Sequence, residues 1–227
     1  VQTPHSVPQA VTDAMAGGGY QGKLELTEDL LRVISAVSEL GKRDPLAARV
    51  GLTANCGPVI FNTSLDYFRT TENGRSVSGI RAGSVELRFT GEKVLTKDGK
   101  TASASEQALT KCADLLDIAY RACLEGGVTS TQTENGYTYT LTLSADRTRQ
   151  AACAIAPDAE KLNVEYQPGT ISLDVQDGKV TALRVELGGS VQVAAVDTQV
   201  SLAAQFTFRS DLTAEDVRVP AAALEKL

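Results

Sequence analysis

The chain has 227 residues, enough to bury a sizeable core without metals or disulfides. Its 28 acidic residues outnumber 22 Lys and Arg, giving a formal charge of −6, which sets it against phosphate backbones and argues for no nucleic-acid partner. With no Trp and a single His, stacking platforms for bases or sugars and histidine-centred chemistry have little to stand on, and no apolar run approaches the ~20 residues of a membrane-spanning helix.

The chain opens Val1-Gln2-Thr3-Pro4, which reads as a mature or trimmed beginning, with any lipid anchor expected upstream of Val1. Ser6, Pro8 and apolar residues at helical spacing predict a short helix that Gly17-Gly18-Gly19 ends, so residues 1–26 read as an N-terminal helix and connector. Residues 27–227 read as a single domain. A helix is predicted from Thr27 to Leu40, with Thr27 as cap, Glu28 and Asp29 at its positive end, Leu30, Ile34 and Val37 as its stripe, and Gly41 as its stop. Between Leu46 and Cys56 the even positions are apolar and the odd ones include Arg49, Thr53 and Asn55, the period of a strand with one buried face. A second strand runs from Phe61 to Thr71 into Asn73-Gly74, a hairpin turn pair. Val77–Ile80 and Val85–Phe89 continue the meander, and Asp98-Gly99 marks a further turn.

Ser103 with Glu106 three residues on is a capping box. It starts a long amphipathic helix expected to span Ser103–Leu124, with Leu109, Cys112, Leu116, Tyr120 and Cys123 on one stripe and Gly126-Gly127 as its end. Tyr137–Leu143 alternates apolar residues with Thr138, Thr140 and Thr142, the wet side of a strand. A short helix capped by Asp146 carries Ala151, Ala152 and Ile155. The last third reads as strands through Val164 and Tyr166, Ile171–Val175 and Val180–Leu187, with turns at Asp177-Gly178 and Gly188-Gly189. Apolar parity changes between Val193 and Val200, so a bulge or turn is expected near Asp197. Short turns between strands predict an α+β fold built on an antiparallel sheet rather than βαβ units.

This order resembles the LolA/LppX-like carriers of the bacterial cell envelope. The resemblance runs over about residues 27–220. It is carried by the helix Thr27–Leu40 leading into Leu46–Cys56, by the helical insertion Ser103–Leu124, and by the final meander with Asp177-Gly178-Lys179 and Phe206-Thr207-Phe208 before Val217-Arg218-Val219-Pro220. It implies a curved antiparallel β-sheet, an open half-barrel, with helices on its concave face. It also implies an extracytoplasmic place and a lipid or other apolar ligand, or an envelope protein, as partner. The family has no short catalytic motif to carry over.

Four cysteines stand at 56, 112, 123 and 153. Cys112 and Cys123 lie roughly 16 Å apart along a straight helix, beyond the ~7 Å a disulfide spans. That leaves 56–112 with 123–153, or 56–123 with 112–153, against the favoured reading of four reduced core residues. No CxxC is present, no metal site is expected, and no cofactor is implied. His5 stands alone in a Pro-flanked terminal segment, and no glycine-rich phosphate loop follows a strand, so no catalytic residue is assigned and the chain reads as a non-enzyme. Asp114 and Asp117 share a helix face as solvated acids do, and Arg43, Arg49, Arg69, Arg75, Arg81 and Arg88 read as a solvated face.

The leading expectation is a carrier or sensor of an apolar ligand. Its acyl chains would lie between the concave sheet and the Ser103–Leu124 helix. Candidate lining residues are Leu52, Leu65, Leu87, Phe89, Leu116, Tyr120, Tyr139, Leu141 and Phe206. The alternative is a structural or protein-interaction domain with a filled core, working through its outer face or an edge strand.

Overall fold

The computed structural model describes residues 27–227 apart from 92, 112, 115–117, 119–121, 123–126 and 156. The expected N-terminal helix within residues 1–26 lies outside the described residues.

Helix α1 spans Glu28–Lys42, and the Thr27 hydroxyl accepts from the Leu30 amide as its cap. Its buried stripe is Leu30, Val33, Ile34, Ala36, Val37 and Leu40, each large side chain contributing about 1.5–3 kcal/mol on burial. The helix runs through Gly41 rather than stopping there, and its C-cap is Arg43. Arg43 is held by Glu39 and donates to the Val180 carbonyl.

Strands β1 (Leu46–Cys56), β2 (Val59–Glu72), β3 (Arg75–Ala82), β4 (Val85–Phe89) and β5 (Val94–Thr96) form a meander. The β2–β3 turn uses Asn73 and Gly74, both at positive φ, as expected of this dipeptide. After helix α2 (Ala104–Leu109) come β6 (Val128–Thr133), β7 (Gly136–Leu143) and helix α3 (Ala145–Ile155). A 3-10 turn (Pro157–Lys161), β8 (Val164–Tyr166), β9 (Gly169–Gln176), β10 (Lys179–Val193), β11 (Val196–Arg209) and helix α4 (Ala221–Leu224) complete the order. The eleven strands form one sheet in the order β5-β4-β3-β2-β1-β11-β10-β9-β7-β6, with β8 pairing on β10. The ladders are antiparallel. The first and last strands do not meet, so the sheet is an open, curved half-barrel of the α+β class.

One main core fills the concave side. Val33, Ala36, Val37 and Leu40 of α1 pack there on residues of β1, β2, β3, β7, β9, β10 and β11. Leu109, Ala113, Ile118 and Ala152 join it from the other helical segments. The convex side has its own, smaller cover. After β11 the chain returns across it, and Val217 packs on Ala47 and Phe68 while Val219 and Ala223 pack on Val77. Helix α4 therefore sits on the convex side, unlike the concave-side helices that were expected.

Several local expectations are revised. The capping box at Ser103 and Glu106 is present, but α2 ends at Leu109. The Thr110 hydroxyl donates to the Gln107 carbonyl at 2.7 Å, competing with the helical ladder. Helical conformation resumes at 113, 114, 118 and 122, so one continuous Ser103–Leu124 helix is not observed. Helix α3 is capped by Ser144, whose hydroxyl accepts from the Arg147 amide, and Asp146 lies inside the first turn. Gly188 and Gly189 do not turn the chain; they lie within β10. A Cβ on Gly189 would meet the Glu165 carbonyl at 2.6 Å, so its bareness admits β8 alongside. The parity change after Val193 is a turn at Ala194-Ala195, two residues earlier than expected.

Candidate functional site

Cross-strand register stacks the concave face into rows, because residues directly opposite share a face. One row runs Leu65, Val50, Phe206, Leu183, Leu173, Tyr139. The next, toward the β1–β2 turn, runs Leu52, Ala204, Val185, Ile171, Leu141. On the other side lie Leu87, Ile80, Tyr67, Ala48 and Phe208 in one row, then Phe89 opposite Ser78. Of the nine lining candidates, seven thus fall on one continuous apolar face. Leu116 and Tyr120 lie outside the described residues.

Burial along this face is graded. Leu65, Leu87, Tyr139, Leu141 and Phe206 are buried. Leu52 and Phe89 are half-buried and pack against the main core. One row further out, Ala54 and Leu202 are half-buried and Phe61 is exposed. The apolar face therefore extends past its helical cover toward the β1–β2 and β10–β11 turns.

Two clefts open where the helical layer parts from the sheet. One, about 540 Å³, lies between β3–β5 and the segment after Ser103. Phe89 and Val94 meet Gln107, Thr110 and the pair Lys111–Asp114, whose nitrogen and oxygen are 3.3 Å apart. The other, about 500 Å³, lies between α1 and the β6–β7 and β9–β10 turns. Tyr137, Tyr139 and Val175 line it beside Arg32, whose guanidinium stands 5.6 Å from the Tyr137 ring centre. A hydrogen bond to Tyr139, then the Glu28 carboxylate, raises the Arg32 pKa. Both volumes match small-molecule sites, and both linings mix aromatic and charged groups.

Cys56 is exposed and Cys153 half-buried, and both are free. Neither disulfide pairing therefore holds for them. Cys56 is also not a core residue, because its row lies beyond the helical cover. Cys112 and Cys123 lie outside the described residues. Among the described residues no three His, Cys, Asp or Glu side chains are grouped to hold a metal. Thr138 and Thr140 face the convex side as expected, with the Thr138 hydroxyl donating to Asp174 at 2.7 Å and Asp174 paired with Arg184.

Arg88 departs from the solvated-face reading. It is 1% exposed, its Nη2 donates to Glu86 at 2.7 Å, and its guanidinium lies 4.5 Å from the Phe68 ring centre. Gly79 makes room for this stack: a Cβ there would sit 2.1 Å from the Phe68 ring.

No family model matches the chain, and no curated protein matches it. Among solved structures it is similar to LprF from Mycobacterium bovis, at 10% identity over 88% of this chain and 100% of that one, TM-score 0.41. It is similar to a DUF1329 family protein from Desulfovibrio piger, at 9% identity over 80% and 92%, TM-score 0.30. It is similar as well to the LolA superfamily protein NE2245 from Nitrosomonas europaea, at 9% identity over 84% and 97%, TM-score 0.21. The fold assignment rests on the sheet topology itself.

Proposed function

We propose that the protein binds an apolar ligand of lipid or acyl character without chemical transformation. In this reading it acts as a carrier or sensor outside the cytoplasm, with the ligand between the concave sheet and the helical layer. The observation that carries the proposal is the continuity of the apolar concave rows from the buried Phe206 and Leu65 through half-buried Leu52 and Leu202. A solid core ends where its cover ends. Here apolar surface continues beyond the cover and offers an acyl chain a track into the helix–sheet layer. Each methylene removed from water contributes about 0.8 kcal/mol, so a chain of modest length offsets the cost of association.

The test is native mass spectrometry of gently purified protein, repeated under denaturing conditions. The expected result is an added lipid mass that denaturation removes, and that Leu202→Arg abolishes while the melting temperature is kept. A bare chain that takes up neither fatty acid nor phospholipid overturns the reading. One observation favours the alternative of a filled core acting through protein contacts: Leu65, Tyr139, Leu141 and Phe206 are each at most 2% exposed. A bare chain would leave that second reading in place.

A further inference from the structure

Among the described residues, the exposed large hydrophobic side chains are Val59, Ile60, Phe61, Leu162, Val193 and Val196, each more than half exposed. All of them lie at one end of the sheet. Val59, Ile60 and Phe61 follow the β1–β2 turn, and Val193 and Val196 flank the β10–β11 turn. The two hairpin ends are neighbours because β1 pairs with β11, and the Gly57 amide donates to the Gln199 carbonyl at 3.0 Å. Leu162 joins them because Val164 pairs with Val191, which points the chain before it toward Val193. From the Phe61 row to the Val196 row is roughly 20 Å along the strands, and the five strands from β2 to β8 span about 19 Å across.

Three features of this end say what covers it. The first is charge. No charged residue stands between Arg49 and Asp66, and only Asp197 stands between Glu186 and Arg209. The two hairpin tips carry no basic group for anionic headgroups, and the charges of this end, Glu160, Lys161 and Glu165, stand to one side beside Leu162, with Glu160 3.8 Å from Arg149. The second is the turn. Among the two-residue turns with both residues at positive φ, Asn73-Gly74 and Asp177-Gly178 use residues suited to that region, but the β10–β11 turn holds Ala194 and Ala195 there, at φ 50° and 65°. Alanine is sterically disfavoured in this region. The tip thus stays apolar where a polar, less strained pair would serve the turn better. The third is two-sidedness. Val59 and Phe61 share the concave face with Cys56 and Ala54, whereas Ile60, opposite Asn55, points to the convex face. One protein surface laid on the sheet would cover only one of these faces. A medium that surrounds the tips covers both.

We propose that this end of the sheet docks on a lipid bilayer, with the β1–β2 and β10–β11 hairpin tips inserted into the interface of an uncharged, zwitterionic membrane. The proposal does not depend on a ligand in the concave face. A protein with a filled core could dock the same way, and a carrier could fail to dock.

The experiment is flotation of the full chain with vesicles of phosphatidylcholine alone, at low and high salt. Wild-type protein is expected to float equally at both. Phe61→Asp and Val196→Asp are each expected to lower the partition coefficient about tenfold or more, the effect of losing one buried apolar side chain. Both positions are exposed, so the melting temperature should hold. Because the chain has no Trp, Phe61→Trp supplies a second readout: its emission should shift to the blue when phosphatidylcholine vesicles are added. Several results overturn the proposal. These are absence of flotation, flotation that needs anionic lipid and fails in high salt, undiminished binding by both aspartate variants, or an indole emission of the Phe61→Trp variant that vesicles leave unchanged. A dimer that Phe61→Asp dissolves, in protein that ignores vesicles, would assign this end to a second copy instead.

Discussion

Arg88 holds a charge under a cover of chain. Beyond Glu86 it has the Leu87 carbonyl at 3.0 Å and the Arg218 carbonyl at 3.4 Å, and its buried Nε has no partner. Burial lowers the guanidinium's pKa, but an arginine stays charged in any folded protein, so Glu86 must balance it. Removing one member of such a pair strands the other. Arg88→Leu is therefore expected to cost about 3 kcal/mol in urea unfolding, with part of the loss recovered in Arg88→Leu/Glu86→Gln. Glu86 carries a pH signature. Burial pushes its carboxyl up, yet the hydrogen bond and charge of Arg88, joined by Arg81, outweigh it and hold the pKa below its ordinary value. A carboxyl lowered by folding stabilises the protein fully above its unfolded pKa and ceases to as pH falls through the folded one. Acid titration of the melting temperature should therefore show a loss below the ordinary glutamate range that Glu86→Gln reduces. None of this was legible in Val85-Glu86-Leu87-Arg88-Phe89, whose alternation reads as one wet face. The cover comes from residues near 218, far along the chain.

That cover is the segment after β11, and it behaves as an element although little of it is regular. Val217, Val219 and Ala223 are its buried anchors. Arg81 donates to the Asp216 carbonyl, the Val219 amide to Glu72, Lys93 to the Lys226 carbonyl and Lys226 to the Gly99 carbonyl. A chain ending at Asp211 is expected to lose at least about 3 kcal/mol, from the two valines alone. Hydrogen exchange should rise first in β2 and β3 and least in β7 and β9. Elements whose signals are local were readable in the sequence: the Thr27 cap, the Ser103 box, the Asn73-Gly74 and Asp177-Gly178 turns. Those set by neighbours were not. Strand β6, Val128–Thr133, is almost wholly polar and is a strand because β7 pairs with it. Gly188-Gly189 resembles a turn and is instead the place where β8 closes on β10.

At the scale of the molecule, antiparallel pairing and short turns made the fold class readable, and alternation identified the concave face. Leu52, Leu65, Leu87, Phe89, Tyr139, Leu141 and Phe206 share that face because each strand's period is fixed by its own residues. How far the helices cover the face depends on contacts distant in sequence, and periodicity does not encode them. The same holds for the end carrying Phe61 and Val196. Their parity is readable, but their exposure follows from where α1 and α3 lie.

Among the described residues, the two margins of the sheet are unequal. Along β5 the chain doubles back, with Thr96 donating to the Lys100 carbonyl and Ala102 to the Val94 carbonyl, so that margin is stoppered by its own backbone. Strand β6 is the last of the described strands at the other margin. A ribbon with one stoppered margin can grow in one direction only. If a second copy adds at β6, the pair presents two stoppered margins outward, and growth terminates at two chains where a sheet open on both sides would propagate as a fibre.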